Sequence, residues 1–336
     1  MIVKLEFAAV NEWLGKKMFL LVLVALVMGC LLRVPDSPLV RVLLVALFAY
    51  MTFVTSLGTG FKSFIQVLGR PWVPLWALIL IHLVTPLIAY SLGNLFFANM
   101  PETKLGLLIG AAIPVGVTSV IWTALTQGNI PICLVAVTLD TLIVPVLLPL
   151  YYKLIVDQSI IINYASLLIQ LILMVTIPSI AGMLFYDWTG GKAAGFSRGI
   201  GGVSSKVALF IVILLNASLV APNVSWSVEI VQMMAVVLLM VAAGYVLGYV
   251  GSLCIPNSSR DIMLAMIYSV GMRNISCGLV IAITYFPPAV AIPITLCMLF
   301  QQPIAAVIPN LFKYFDERKL RFEERRQRHQ RTIYNS

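Results

Sequence analysis

Apolar segments of about twenty residues, the length a helix needs to cross a bilayer, recur along almost the whole chain. Within hydrocarbon a helix satisfies its backbone hydrogen bonds inside one segment, so an all-α polytopic membrane protein is expected. Turn signals and charged residues delimit ten expected transmembrane spans, near residues 19–32, 39–57, 72–96, 105–125, 131–154, 164–185, 207–220, 231–253, 262–285 and 290–312. Of the 336 residues, 61% are hydrophobic and 10% charged, which leaves no place for an extramembrane enzyme. Lysines precede a short apolar run within residues 1–33, but no good small-residue cleavage site follows. That run therefore reads as a first helix rather than a secretory signal.

An even number of spans places both termini on one side. With that side cytoplasmic, Lys4, Lys16, Lys17, Lys62, Arg70, Lys192, Arg198, Lys206, Arg260 and the basic tail from Lys313 to Arg331 lie inside, against Arg33, Arg41, Lys104 and Lys153 outside. This is the positive-inside bias, and a multi-pass protein of the plasma (inner) membrane with cytoplasmic termini is expected. The formal charge of +9 owes much to the tail, where a juxtamembrane basic segment meets anionic headgroups. Membrane lipid is thus an expected partner, and nucleic acid is not. Trp13, Trp72, Trp76, Trp188 and Trp226 fall near span ends, where indole sits at the headgroup boundary; Trp122 does not.

The expected organisation is a first five-helix repeat over 1–186, a glycine-rich basic cytoplasmic connecting loop over 187–206, a second five-helix repeat over 207–312 and a basic cytoplasmic tail over 313–336. An odd number of spans per half puts the halves in opposite orientations, so any internal symmetry is an inverted repeat.

Two spans carry breaks in corresponding places. Residues 113–131 read IPVGVTSVIWTALTQGNIP and residues 268–288 read YSVGMRNISCGLVIAITYFPP. Each has a glycine, a polar cluster, an apolar run and then proline. Aligning Gly116 with Gly271 sets Thr118 opposite Arg273 and Ser119 opposite Asn274. Paired interrupted segments point to a transporter's binding site, because unwinding frees backbone groups and helix ends to face a ligand. Thr118, Ser119, Arg273 and Asn274 are therefore the candidate substrate-binding residues.

Asp140 lies midway along the fifth span and Arg273 within the second break. Charges at bilayer depth are costly, about 2.5–3.5 kcal/mol on insertion scales, and such a pair is expected to face each other or water. Three readings follow: Arg273 binds a substrate anion with its planar fork, Asp140 carries a coupling proton, or the two form a structural ion pair. His82, Ser269, Gln301 and Gln302 are possible cavity-lining residues.

The five cysteines are scattered through apolar segments, so neither a disulfide framework nor a metal site is expected. No nucleotide loop or hydrolase motif occurs, and no cofactor is expected. Transport must then draw on an ion or substrate gradient.

The runs ProValGlyValThrSer at 114–119, LeuThrGlnGlyAsn at 125–129, GlyMetArgAsn at 271–274 and AlaIleThrTyrPhePro ending at Pro287 resemble the bile acid:sodium symporter family. Its superfamily includes arsenite efflux permeases and auxin-carrier-like transporters. The resemblance in length, span count and spacing covers essentially the whole chain. It implies ten transmembrane helices in two inverted five-helix repeats, a panel and a core domain, and broken fourth and ninth helices that cross beside the substrate.

The resemblance also implies sodium ligands from a Ser-Asn pair in the fourth span, two hydroxyls in the fifth, and a Glu and a Gln in the ninth. Here Ser119 keeps the serine, but the other positions hold Val120, Cys133, Val137, Ser269 and Arg273. The usual sodium sites look dismantled, and sodium or proton stands as the possible coupling ion. Against arsenite permeases, the run at 122–128 is similar, but Val115 stands at their reactive cysteine.

The reading is a secondary active transporter of a small organic anion working by alternating access. Arsenite-permease-like efflux of an oxyanion or metalloid, and a channel or sensor on the same fold, are the alternatives.

Overall fold

The secondary structure is helical, with no strand among the described residues. The computed structural model describes residues 2–58, 60–61, 72–116, 118–155, 165, 169, 172–223 and 227–334. In chain order the helices are α1 (Ile2–Lys16), α2 (Met18–Leu31), α3 (Pro38–Ser56), α4 (Trp72–Phe96), α5 (Pro101–Ala112), α6 (Thr118–Leu125) and α7 (Ile130–Ile155). They continue as α8 (Ile172–Trp188), α9 (Ala193–Arg198), α10 (Ile200–Val220), α11 (Val228–Leu253), α12 (Arg260–Gly271), α13 (Ile275–Tyr285) and α14 (Pro288–Tyr334).

Pro38–Ser56, Trp72–Phe96, Ile130–Tyr151, Ile200–Val220, Val228–Leu253 and Pro288–Phe312 are each long and apolar enough to cross a membrane. The protein is an all-α, multi-pass membrane protein. The expected spans near 105–125 and 262–285 are each two shorter helices, α5 with α6 and α12 with α13. At one rim, in the connection before α3, Asp36 accepts from Arg41 at 2.9 and 2.6 Å. These bonds hold its carboxyl below the usual range.

Proline shapes α4. Pro86 has no N–H to give the carbonyl four residues earlier, which belongs to His82, and the helix widens into a π segment over Leu80–Val84. Tyr151 of α7 donates its hydroxyl to the freed His82 carbonyl. Small residues bring other helices close. A Cβ on Gly248 of α11 would lie 2.7 Å from the Ile267 Cα of α12, so these two helices pack backbone to backbone.

Where a connecting loop is expected over 187–206, the chain forms α9 and the first turns of α10. Gly199 makes the corner, and the glycines at 201 and 202 let Phe196 and Asn11 pack directly on the α10 backbone. Packing, not composition, decides here. Asn11 Nδ2 donates to the Arg198 carbonyl at 2.8 Å, tying α1 to this corner.

Trp13, Trp72 and Trp188 are exposed, whereas Trp76, also expected in the headgroup belt, is half-buried and donates to the Gly251 carbonyl of α11 at 2.9 Å. Trp122 is inside, stacked on Tyr268 with ring centroids 6.2 Å apart and donating to Gln302 Oε1 at 2.9 Å. Lys62, Arg70 and Trp226 lie outside the described residues, as do the side chains of Lys4, Lys16, Lys153 and the tail from residue 313.

Candidate functional site

The two breaks meet. Val115 and Arg273 form an antiparallel bridge; Gly116 N–H donates to the Met272 carbonyl at 3.0 Å and Asn274 N–H to the Pro114 carbonyl at 2.7 Å. Pro114 forces the preceding Ile113 into extended backbone, which ends α5. Gly116 is required by proximity, since a Cβ there would sit 2.8 Å from the Arg273 carbonyl oxygen. No proline makes the second break. Instead the Asn274 side chain caps α13, and Gln301 of α14 serves the unwound backbone, accepting from Arg273 N–H at 2.8 Å and donating to Arg273 C=O at 3.0 Å.

Beside the crossing lies a cavity of about 510 Å³, within the range of small-molecule sites. Thr118, Arg273, Asn274, Gln301 and Gln302 line it, as the sequence leads one to expect. Arg273 is 6% exposed. Its Nη2 donates to Thr85 Oγ1 of α4 at 2.8 Å, while Nη1 is buried with no partner among the described residues. Lys206 and Arg198 also line the cavity, and no aspartate or glutamate is among the described lining residues. Lys206 donates to Asn11 Oδ1. These two cations were missed because the sequence places them in a loop. Thr138 and Thr141, three residues apart and so on one face of α7, also line the cavity.

Ser119, Ser269 and His82 are elsewhere. Ser119 and Ser269 turn from the cavity into a fully buried cluster with Thr123 and Cys133. Cys133 Sγ donates to Ser119 Oγ at 3.3 Å, and the Thr123 and Ser269 hydroxyls have no partner among the described residues.

Asp140 does not pair with Arg273. It is fully buried, with one carboxylate oxygen hydrogen-bonded to His82 Nε2 and the other accepting from the Val115 N–H. The physical reason is the π segment, which turns His82 of α4 onto α7, and the bridge, which aims the Val115 amide at the same carboxylate. Thr85, beyond His82 on α4, takes the arginine instead.

Two broken helices that cross beside a largely apolar cavity carrying a few polar and basic side chains, within an apolar helical bundle, define a membrane transporter. A sequence model of the sodium bile acid symporter family matches residues 40–225. The chain is 33% identical to the uncharacterized protein YbaS of Bacillus subtilis (strain 168) over 271 residues, covering 80% of this chain and 88% of YbaS. It is 27% identical over 234 residues to the uncharacterized sodium-dependent transporter YocS of the same organism, covering 69% of this chain and 70% of YocS. It is 25% identical over 240 residues to the probable chloroplastic sodium/metabolite cotransporter BASS2 of Oryza sativa subsp. japonica, covering 69% of this chain and 55% of BASS2. The chain belongs to the sodium bile acid symporter family, a family of transporters.

Where the resemblance implies sodium ligands, the buried cluster of Ser119, Thr123, Cys133 and Ser269 offers neutral hydroxyls and a thiol.

Proposed function

We propose that this protein carries a small organic anion across the plasma (inner) membrane by alternating access, with both termini cytoplasmic and Arg273 as the anion-binding residue. The observation that carries the reading is the cavity: Arg198, Lys206 and Arg273 line it, without a described carboxylate to oppose them. Arg273 cannot lose its charge, and its buried Nη1 has donors to spare. The guanidinium now lies against Thr85, at a small separate pocket, and would turn toward the cavity to meet a carboxylate held beside Asn274 and Thr118. The Gln301 amide holds the arginine's own peptide in place, so binding costs little reorganisation of the backbone.

The crossing supplies the conformational element. Because Val115 and Arg273 belong to two different broken helices joined by backbone hydrogen bonds, an anion on Arg273 acts on both at once. Rocking of this core against the remaining helices exposes the cavity to each side in turn.

The experiment is thermal stability of the purified protein against a panel of carboxylates, steroids and arsenicals, in sodium and in choline buffer. A ligand that binds only the folded state raises stability by RT ln(1 + [L]/Kd). The expected result is stabilisation by an anion, equal in the two buffers and absent in Arg273→Ala. Stabilisation by sodium alone, or by an anion regardless of Arg273, would refute the reading.

A further inference from the structure

We propose that His82 and Asp140 form a proton-binding dyad that takes the place of sodium, neutralising the core when an anion sits on Arg273 and passing its charge state to the helix crossing through the Val115 amide. The inference rests on the anion-transport reading of the same core.

Among the described residues, the buried acidic or basic side chains are His82, Asp140 and Arg273. With the imidazole neutral, the carboxylate and the guanidinium cancel. An anion arriving on Arg273 then leaves one negative charge in excess among these buried groups, since Lys206 is half-buried and Arg198 exposed, and excess charge at bilayer depth is costly. A single proton shared by His82 and Asp140 restores neutrality.

The geometry suits a dyad. His82 and Asp140 are hydrogen-bonded to each other, and His82 Nδ1 is buried with no partner among the described residues. A ring nitrogen without a fixed partner leaves the imidazole free to change tautomer as a proton enters. π segments occur frequently at functional sites, and His82 lies within one. The groups that face the pair are Tyr151 on α7, whose ring stacks on His82 at 6.4 Å between centroids, Arg273 at the α12–α13 break and Cys277 on α13. Arg273 is the one permanent charge among them. Thr141, next to Asp140 along α7, lines the cavity, while Asp140 itself is fully buried.

The same carboxylate holds the Val115 N–H, and Val115 is bridged to Arg273. A hydrogen bond to an ionised acceptor is roughly twice as strong as one between neutral groups. A proton that settles on Asp140 therefore loosens the grip of α7 on the first break while the second break carries the anion. Proton and substrate act on one backbone bridge from its two sides.

The test is an infrared difference titration of the lipid-reconstituted full-length protein between about pH 5 and pH 8, in sodium and in choline buffer, without any anion. Isotope-labelled aspartate and histidine assign the bands. The expected result is a protonation change whose bands shift with both labels, match in the two buffers and are lost in the His82→Gln/Asp140→Asn double variant. Hydrogen exchange at residues 113–116, corrected for the intrinsic pH dependence, rises on acidification in the wild type. A spectrum with no pH-dependent aspartate or histidine band, bands that sodium removes, or bands that survive in the double variant would overturn the proposal. If the double variant does not fold, the single variants His82→Gln and Asp140→Asn in a His329→Gln background decide, by which labelled bands each removes. Because no anion is added, failure here is separable from a silent anion screen.

Discussion

Gln301 brackets the peptide of Arg273 with both ends of its side-chain amide, accepting from the N–H at 2.8 Å and donating to the carbonyl at 3.0 Å. The side chain does for the second break what a neighbouring strand would do in a sheet. Replacing it with Met keeps most of the volume and leaves the buried Arg273 N–H unpaired, while the Arg273 carbonyl keeps the bond from Ile275 N–H at 3.0 Å. Gln301→Met is expected to lose about 1–3 kcal/mol, read by denaturant unfolding of the purified protein, and to lower anion affinity because Arg273 is no longer held.

Gly116→Ala places a methyl group 2.8 Å from the Arg273 carbonyl oxygen. The two breaks must then separate, at a cost of about 1–3 kcal/mol, and anion-induced stabilisation should disappear in the thermal assay. Gly195→Ala is the control. A Cβ there meets nothing within 4 Å, and a helical glycine replaced by alanine gains about 0.5–1 kcal/mol.

Arg273→Lys keeps a positive charge but not the fork that reaches Thr85 with one nitrogen and leaves the other to a ligand. Anion affinity should fall by about tenfold, or 1.4 kcal/mol, measured as the shift in the thermal titration midpoint. Affinity equal to wild type would show that a point charge is enough and that bidentate recognition is not used.

Lys206 lines the same cavity from α10, and its contribution is steering. Lys206→Gln should slow initial anion uptake into liposomes by about 2–5-fold at low salt, with the difference shrinking as ionic strength rises. A salt-independent defect would place Lys206 in direct contact with the substrate.

Much of this architecture was legible in the chain. The span over 72–96 corresponds to α4 as Trp72–Phe96, because long apolar runs have one way to satisfy their backbone in lipid. The two breaks were legible too, since Pro114 removes a donor and Gly116 permits close approach wherever the rest of the chain lies. Arg273 was conspicuous as a charge in an apolar run. The partners of these residues were not legible. Nothing local says that Asp140 meets His82 rather than Arg273, that Ser119 turns away from the cavity beside its neighbour Thr118, or that Lys206 belongs to a helix rather than a loop.

The sequence by itself determined the class of solvent, the helical backbone and the places where helices break, because each follows from hydrogen bonds and steric limits within a few residues. Only the tertiary structure decided how the buried charges pair. That choice depends on which helix faces arrive within hydrogen-bond reach, and here it turns on the π segment before Pro86. That segment turns His82 toward Asp140 while Thr85 of the same helix receives Arg273.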